Sequence, residues 1–256
     1  MGNSSHPTFV FVPGALSPVA QYQHVVDLLR ARHFDATIVA TPSVGFRPGP
    51  AATMFDDAAA ISSVTQALAN EGKHTILVMH SYGGVPGTQS VKGVSAKERK
   101  SDGKSGGVKR LVYVNAIIPG LGESVRGLFG TQLPAFLKLV DDRLINIDPA
   151  ASARNTYNPL AFTKALEWAQ GMQPHSDISY QGAVSSLGYD HAPVSYLRCT
   201  KDMIVVPELS STYYQKIADR TGTKPDLYEI ETGHCPNASA PDELVDILIE
   251  IASKEE

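Results

Sequence analysis

Thr75-Ile76-Leu77-Val78-Met79-His80-Ser81-Tyr82-Gly83-Gly84 reads as a buried strand, a tight turn and the opening of a helix. Ile76 to Met79 form a continuous apolar run, too short for a core helix and suited to a strand covered on both faces. Ser81 then falls on the turn, while Gly83 and Gly84 let the following helix approach closely. That arrangement lifts a serine hydroxyl above the end of a sheet. It departs from the G-x-S-x-G pattern at one place, where Met79 replaces the first glycine. A Ser-x-Gly tripeptide alone is common and also describes an ordinary capped helix start. The upstream strand and the doubled glycine favour the sharper reading.

Outward from this stretch, strands alternate with helices. Residues 8–13, 35–40, 75–79, 108–114, 194–199 and 225–230 read as strands. Helical spacing runs through 21–32, 56–70, 82–91 and 239–254, the last with Pro241 in its first turn and Leu244, Ile247, Leu248 and Ile251 on one stripe. This order predicts an α/β fold: a mainly parallel sheet flanked by helices, with one domain over residues 1–256. Two segments interrupt the alternation. Residues 95–107 are charged and Gly-rich and read as an exposed, mobile insertion. Residues 120–190 have helical patterns at 125–141, 159–172 and 176–186, and read as a helical cap over the carboxyl ends of the strands.

Composition excludes several function classes. Apolar residues make up 43% and charged residues 19% of the 256, ordinary for a globular chain. With 26 acidic against 22 basic side chains, and one basic run at 97–104 broken by Glu98 and Asp102, nucleic acid is not an expected partner. Cys199 and Cys235 form neither a disulfide framework nor a zinc-ligand spacing. No metal or cofactor is expected, and the partner is a small-molecule substrate. No apolar run reaches the roughly 18 residues of a spanning helix, so no membrane partner is expected either. Residues 1–7 are short and polar, with no charged leader, which points to a cytoplasmic protein. Met1 to His6 approach an acylation signal but place His6 where Ser or Thr belongs. Asn3-Ser4-Ser5 and Asn237-Ala238-Ser239 match glycosylation sequons and are read as chance.

Ser81 needs a base and an acid. In a strand-end active site these follow the nucleophile in the order acid, histidine. Gly233-His234-Cys235-Pro236 lies between the last strand and the last helix, and Thr200-Lys201-Asp202 follows directly on the strand at 194–199. Each of the three residue types just past a strand, in this order, makes Ser81, Asp202 and His234 a candidate triad, with Asp202 holding the second imidazole nitrogen. The end of strand 108–114 carries Asn115-Ala116 and offers no acid; Asp190, Asp226 and Glu231 are worse placed. Oxyanion donors are then the backbone N–H of Tyr82 and, from Pro13-Gly14-Ala15-Leu16, that of Ala15.

Phe9-Val10-Phe11-Val12-Pro13-Gly14-Ala15, His80-Ser81-Tyr82-Gly83-Gly84, Cys199-Thr200-Lys201-Asp202 and Gly233-His234 together resemble the α/β-hydrolases, nearest the subgroup of plant methylesterases and hydroxynitrile lyases. The elbow, extended to Val85-Pro86, with its basic insertion also resembles uncharacterised fungal members linked to secondary metabolism. Pro13 stands where a histidine commonly precedes the oxyanion-loop glycine. The lyase relatives carry a threonine in that loop and a lysine after the catalytic histidine; here those places hold Gly14 and Cys235. The resemblance therefore implies a serine hydrolase of a small to medium ester or lactone, acting through an acyl-enzyme on Ser81. A lyase, retro-aldol or decarboxylation-type enzyme on the same scaffold stays open, as does a non-catalytic small-molecule receptor. Cap and loop residues Leu16, Leu128, Phe129, Phe136, Leu137, Trp168 and Met172 are candidates for an apolar pocket wall, and His175 and Tyr180 for substrate contacts.

Overall fold

The structure, a computed structural model, describes residues 6–254. The Asn3-Ser4-Ser5 sequon, and the acylation-signal match apart from His6, lie outside the described residues. The first half runs β1 (Thr8–Val12), α1 (Gln23–Ala31), β2 (Ala36–Ile38), α2 (Met54–Asn70), β3 (His74–His80), α3 (Gly84–Ser90), α4 (Ala96–Ser101) and β4 (Gly107–Val114). The segment between β4 and the next sheet strand holds α5 (Val125–Phe129), β5 (Leu137–Val140), β6 (Arg143–Asn146), α6 (Pro149–Thr156), α7 (Phe162–Gln170) and β7 (His175–Ser176). The chain closes with β8 (Val194–Cys199), α8 (Pro207–Thr221), β9 (Asp226–Ile230), α9 (Pro236–Ser239) and α10 (Pro241–Ala252).

Six strands form one sheet in the order β2-β1-β3-β4-β8-β9, every neighbouring pair parallel. Successive side chains of a strand point to opposite faces, and both faces are covered. Phe9 and Phe11 of β1 pack with Ile76, Val78, Val112 and the α1 and α10 residues Val25, Leu29, Leu244 and Leu248. Val10 and Val12, from the same strand, pack on the other face with Leu77, Met79, Met54, Ile61 and Val85. This explains why β1 and β3 read as unbroken apolar runs and not as alternation. Each fully buried aliphatic side chain in these layers contributes about 1.5–3 kcal/mol.

Local signals set several boundaries. α2 begins at a reciprocal cap, the Thr53 hydroxyl accepting from the Asp56 N–H while the Asp56 carboxylate accepts from the Thr53 N–H. The expected final helix is divided at Ala240, where the chain leaves helical geometry before Pro241 starts α10. Asn237 is buried, its amide donating to the Gln21 carbonyl at 2.9 Å, so this sequon is not displayed for modification. The insertion at 95–107 is not a bare loop. Ser95 caps α4, and the buried Arg99 guanidinium donates to the carbonyls of Ala69 and Ser105.

The cap holds α6 and α7 over one edge of the sheet, but two of its expected helices are cut short. The pattern at 125–141 suggests a single helix; α5 stops instead at Gly130, whose φ of 70° is left-handed. Leu137–Val140 then pairs antiparallel with Arg143–Asn146 across an Asp141-Asp142 turn in which Asp141 has φ 52°. Residues 176–186 give a 3₁₀ turn at Asp177–Tyr180. α6 escaped the sequence reading although it carries its own start signal, the Asp148 carboxylate accepting from Ala151 N–H at 2.9 Å with Pro149 next in line.

Candidate active site

Ser81 follows β3, and its φ of 53° places a non-glycine residue in the left-handed region, at a cost of about 1–2 kcal/mol. The glycines beside it show why the turn is held so tightly. A Cβ at Gly83 would lie 2.6 Å from the Val12 carbonyl oxygen, and one at Gly84 would lie 2.3 Å from that of Ile117. The helix start is therefore wedged between the ends of β1 and β4, and Ser81 is lifted over the sheet. Met79, in place of the expected elbow glycine, is buried and finds room because a glycine sits one turn into α3: a Cβ on Gly87 would be 2.3 Å from its sulfur.

The structure brings the three separated candidates together. The Ser81 hydroxyl lies 2.9 Å from His234 Nε2, and His234 Nδ1 lies 2.6 Å from Asp202 Oδ2. All three are buried, in loops that leave β3, β8 and β9 at the same edge of the sheet. A carboxylate accepts only, so the Nδ1–H donates to Asp202 and Nε2 is left to accept from Ser81. Asp202 has further donors: Ile204 N–H at 2.6 Å and Val205 N–H at 3.0 Å on Oδ1, and the Asn115 amide on Oδ2. Burial is the largest single influence on Asp202 and would raise its pKa. The charge and hydrogen bond of His234, with those N–H donors, outweigh it and hold the carboxyl below its ordinary value. Asn115, passed over in the sequence because it is not an acid, is fully buried and spans the acid loop. It also donates to Val205 O at 2.8 Å and accepts from Cys199 N–H at 3.0 Å.

The loop after β1 lies directly on Ser81, since a Cβ at Gly14 would meet the Ser81 Cβ at 3.1 Å. Ala15 and Tyr82, the two candidate donors, both line the cavity above Ser81. The Tyr82 side chain points away and is anchored, its hydroxyl donating to Asp57 at 2.7 Å and its ring against those of His175 and Tyr180. Asp57 is fully buried, no cation among the described residues acts on it, and desolvation, only partly offset by the Ser43 and Tyr82 donors, raises its pKa.

The cavity over Ser81 has a volume of about 460 Å³. Of the expected wall residues, Leu16, Phe129, Phe136, Leu137 and Met172 line it, as does Tyr180. Leu128, Trp168 and His175 do not. Leu128 packs on the main core, and Trp168 on Tyr157 in a satellite cluster under α6 and α7. His175 is fully buried; it donates from Nε2 to Ser179 at 2.9 Å and faces the Leu16 N–H with Nδ1 at 3.5 Å, tying the cap to the loop after β1. Helical spacing cannot tell a cap residue facing the cavity from one facing the cap's own core. The wall also contains Arg126, which the sequence reading missed, paired with Asp177. Among the described residues no group of His, Cys, Asp and Glu is arranged to hold a metal ion, and no helix is long and apolar enough to cross a membrane.

Comparison with known proteins agrees with this architecture. Probable hydrolase R7 from Phoma sp. is 34% identical over 247 residues, covering 96% of this chain and 98% of that one. Alpha/beta hydrolase nvfD from Aspergillus novofumigatus is 28% identical, covering 94% and 95%. The solved structure of tomato methylketone synthase I in complex with 2-tridecanone superposes with a TM-score of 0.74 at 19% identity, over 98% of this chain and 99% of that one, a likeness of fold. Residues 9–247 match the profile of the Alpha/beta hydrolase family, and the chain belongs to that family.

Proposed function

We propose that the protein is a serine hydrolase that cleaves a small to medium ester or lactone through an acyl-enzyme, and that it sits in the subgroup of plant-type methylesterases and lyases with fungal relatives in secondary metabolism. The observation that carries this reading is the hydrogen-bonded chain Ser81–His234–Asp202 at the floor of an apolar cavity of about 460 Å³. Residues 1–256 act as one catalytic unit, with 120–190 as its cap. Both cysteines are free and buried, which suits a reducing, cytoplasmic setting.

In this mechanism the Ser81 oxygen attacks the carbonyl carbon as His234 Nε2 takes the hydroxyl proton. Asp202 stabilises the imidazolium without taking its proton. The negative charge on the former carbonyl oxygen is met by the backbone N–H groups of Ala15 and Tyr82, each such donor being worth about 3–4 kcal/mol in the transition state. His234 then gives its proton to the departing alkoxide, which leaves as an alcohol, or as the hydroxyl of the opened ring in a lactone. Water enters, loses a proton to His234 and attacks the acyl carbon. The acid leaves and Ser81 regains its proton.

Cys235, where the lyase relatives carry a lysine, favours hydrolysis: burial pushes its thiol up, so it stays neutral, and it brings no ammonium to a leaving anion. The test is rapid-quench mass spectrometry with p-nitrophenyl butyrate and a lactone panel. An acyl mass on Ser81 that is absent in Ser81→Ala is expected, together with loss of turnover in that variant. Turnover that survives Ser81→Ala overturns the nucleophilic mechanism.

A further inference from the structure

His80 precedes the nucleophile, and no step of the proposed mechanism uses it. Its ring is buried, with Nδ1 2.6 Å from the Tyr22 hydroxyl and Nε2 2.7 Å from the His234 carbonyl oxygen. A carbonyl oxygen can only accept, so Nε2 carries the proton and Nδ1 is the acceptor of the Tyr22 O–H. The same hydroxyl accepts from the Gly14 N–H at 3.0 Å. Donors and acceptors thus run in one consistent sense: Gly14 N–H donates to Tyr22, Tyr22 O–H to His80, and His80 Nε2–H to the His234 carbonyl.

The segments joined in this way are not held in register by the sheet itself. Gly14 follows β1 and His234 follows β9, and β3, β4 and β8 lie between those strands in the sheet, so no ladder bond connects them. Yet Gly14 belongs to the oxyanion loop and His234 is the base, and both must meet Ser81 within a few tenths of an ångström. We propose that Tyr22 and His80 form a positioning relay for the hydrolytic reaction, clamping the oxyanion loop at Gly14 to the base loop at His234 across the nucleophile elbow. The proposal rests on the reading of Ser81 as the nucleophile. The neutral state of His80 belongs to the device. Burial first, then the neighbouring His234, lowers its pKa to about 3, against weaker opposing effects of the His234 carbonyl and Asp202. A protonated His80 would lose its acceptor nitrogen. It would also set a second cation against the His234 ring, whose centre is 4.8 Å away, as that ring itself becomes charged during turnover.

Tyr22→Phe keeps the buried ring and deletes the hydroxyl. The segment remains tied to the α9 end of the chain by Asn237 donating to the Gln21 carbonyl at 2.9 Å, so the variant is expected to fold. With p-nitrophenyl butyrate, kcat should fall about 10- to 100-fold with KM within about threefold of wild type, the size of loss that an ångström-scale misplacement gives. Phosphonylation of Ser81 by a p-nitrophenyl phosphonate should slow in parallel. His80→Gln, which retains a donor toward the His234 carbonyl, should keep more kcat than His80→Leu when both are compared below their melting temperatures. In ¹⁵N spectra of the wild type, His80 should stay in the neutral Nε2–H form between about pH 5 and 9. Wild-type kcat in Tyr22→Phe with Ser81 still labelled, a loss confined to KM, equal loss in the two His80 variants, or titration of His80 in that range each overturns the relay alone. Turnover surviving Ser81→Ala overturns the hydrolase reading and the relay with it.

Discussion

Asp202→Asn is the substitution whose cost the geometry lets us work through. The carboxylate accepts from Ile204 and Val205 N–H on Oδ1, and from His234 and the Asn115 amide on Oδ2. An amide has a single oxygen. If that oxygen keeps the two backbone donors, its NH₂ faces His234 Nδ1 and the Asn115 NH₂. His234 must then accept at Nδ1 and carry its proton on Nε2, 2.9 Å from the Ser81 oxygen, where it can no longer receive the serine proton. A tautomer trap of this kind costs about 10⁴ in kcat, near 5.5 kcal/mol at about 1.36 kcal/mol per decade. KM should change little, because the cavity wall is untouched. The donor–donor contact at Asn115 should also cost roughly 1–3 kcal/mol of stability. Steady-state hydrolysis of p-nitrophenyl butyrate measures the first effect and urea unfolding the second. A kcat loss below about tenfold refutes the tautomer argument. An equal loss in Asp226→Asn, whose carboxylate instead pairs with Arg110 and Lys254, refutes the assignment of the acid.

Asn115→Ala removes an amide that donates to Asp202 and Val205 and accepts from Cys199 N–H; urea unfolding should show a loss of about 2–4 kcal/mol, with kcat reduced as well. Gly87→Ala sets a Cβ 2.3 Å from the Met79 sulfur and 2.7 Å from its Cγ, which should cost about 1–3 kcal/mol. Adding Met79→Ala should recover part of that loss in a double-mutant cycle, and strict additivity would show that the two sites do not share the space. Asp57 has a raised pKa, so the folded state holds its proton more tightly than the unfolded chain. Stability is therefore lost as pH climbs from the ordinary carboxylate range, about 3.9, through the raised value. Melting curves across pH should show Asp57→Asn gaining on the wild type as pH rises, and the opposite slope refutes this reading.

The sheet was legible because its strands are covered on both faces and so carry unbroken apolar runs: Val194–Cys199 has the bounds its sequence suggests, and His74–His80 differs only at its ends. Ser81, Asp202 and His234 could be singled out because each lies just beyond a strand whose end the sequence marks. What escaped is whatever depends on which way a side chain faces. Asn115 occupies the place where an acid was sought and instead holds the Asp202 carboxylate of the loop after β8. Tyr22 lies within a stretch read only as helix, and it closes a 3₁₀ turn at Val19–Tyr22 directly before α1. Its hydroxyl reaches a histidine in β3 across a separation no local pattern encodes. In the cap, Leu128 and Phe129 are sequence neighbours in one helix, yet Phe129 lines the cavity and Leu128 packs on the core. Periodicity gave both the same status.

The departures from the family pattern are informative when each is followed to its neighbours. Pro13 brings no ring donor to the oxyanion loop, and the adjoining Gly14 N–H is taken by Tyr22 instead. Met79 adds bulk beneath the elbow, and Gly87 supplies the missing volume. Cys235 is different, because nothing replaces the charge it lacks. Among the described residues lining the cavity, Arg126 is the one permanently charged cation, and it is paired with Asp177. Under the proposed mechanism a leaving group therefore finds no lysine beside His234 to stabilise it as a free anion. It must be protonated by His234 as the bond breaks, which an alkoxide with a high conjugate-acid pKa accepts readily. A weakly basic anion such as cyanide gains much less from that proton. Under that mechanism the charge distribution of the cavity, more than its size, would favour ester or lactone cleavage over release of a stabilised anion. The same logic makes Cys235→Lys an informative exchange: it would set an ammonium beside the base, where like-charge repulsion disfavours the imidazolium that forms during turnover. The kcat for ester hydrolysis should fall, and an unchanged kcat would show that position 235 does not address the base.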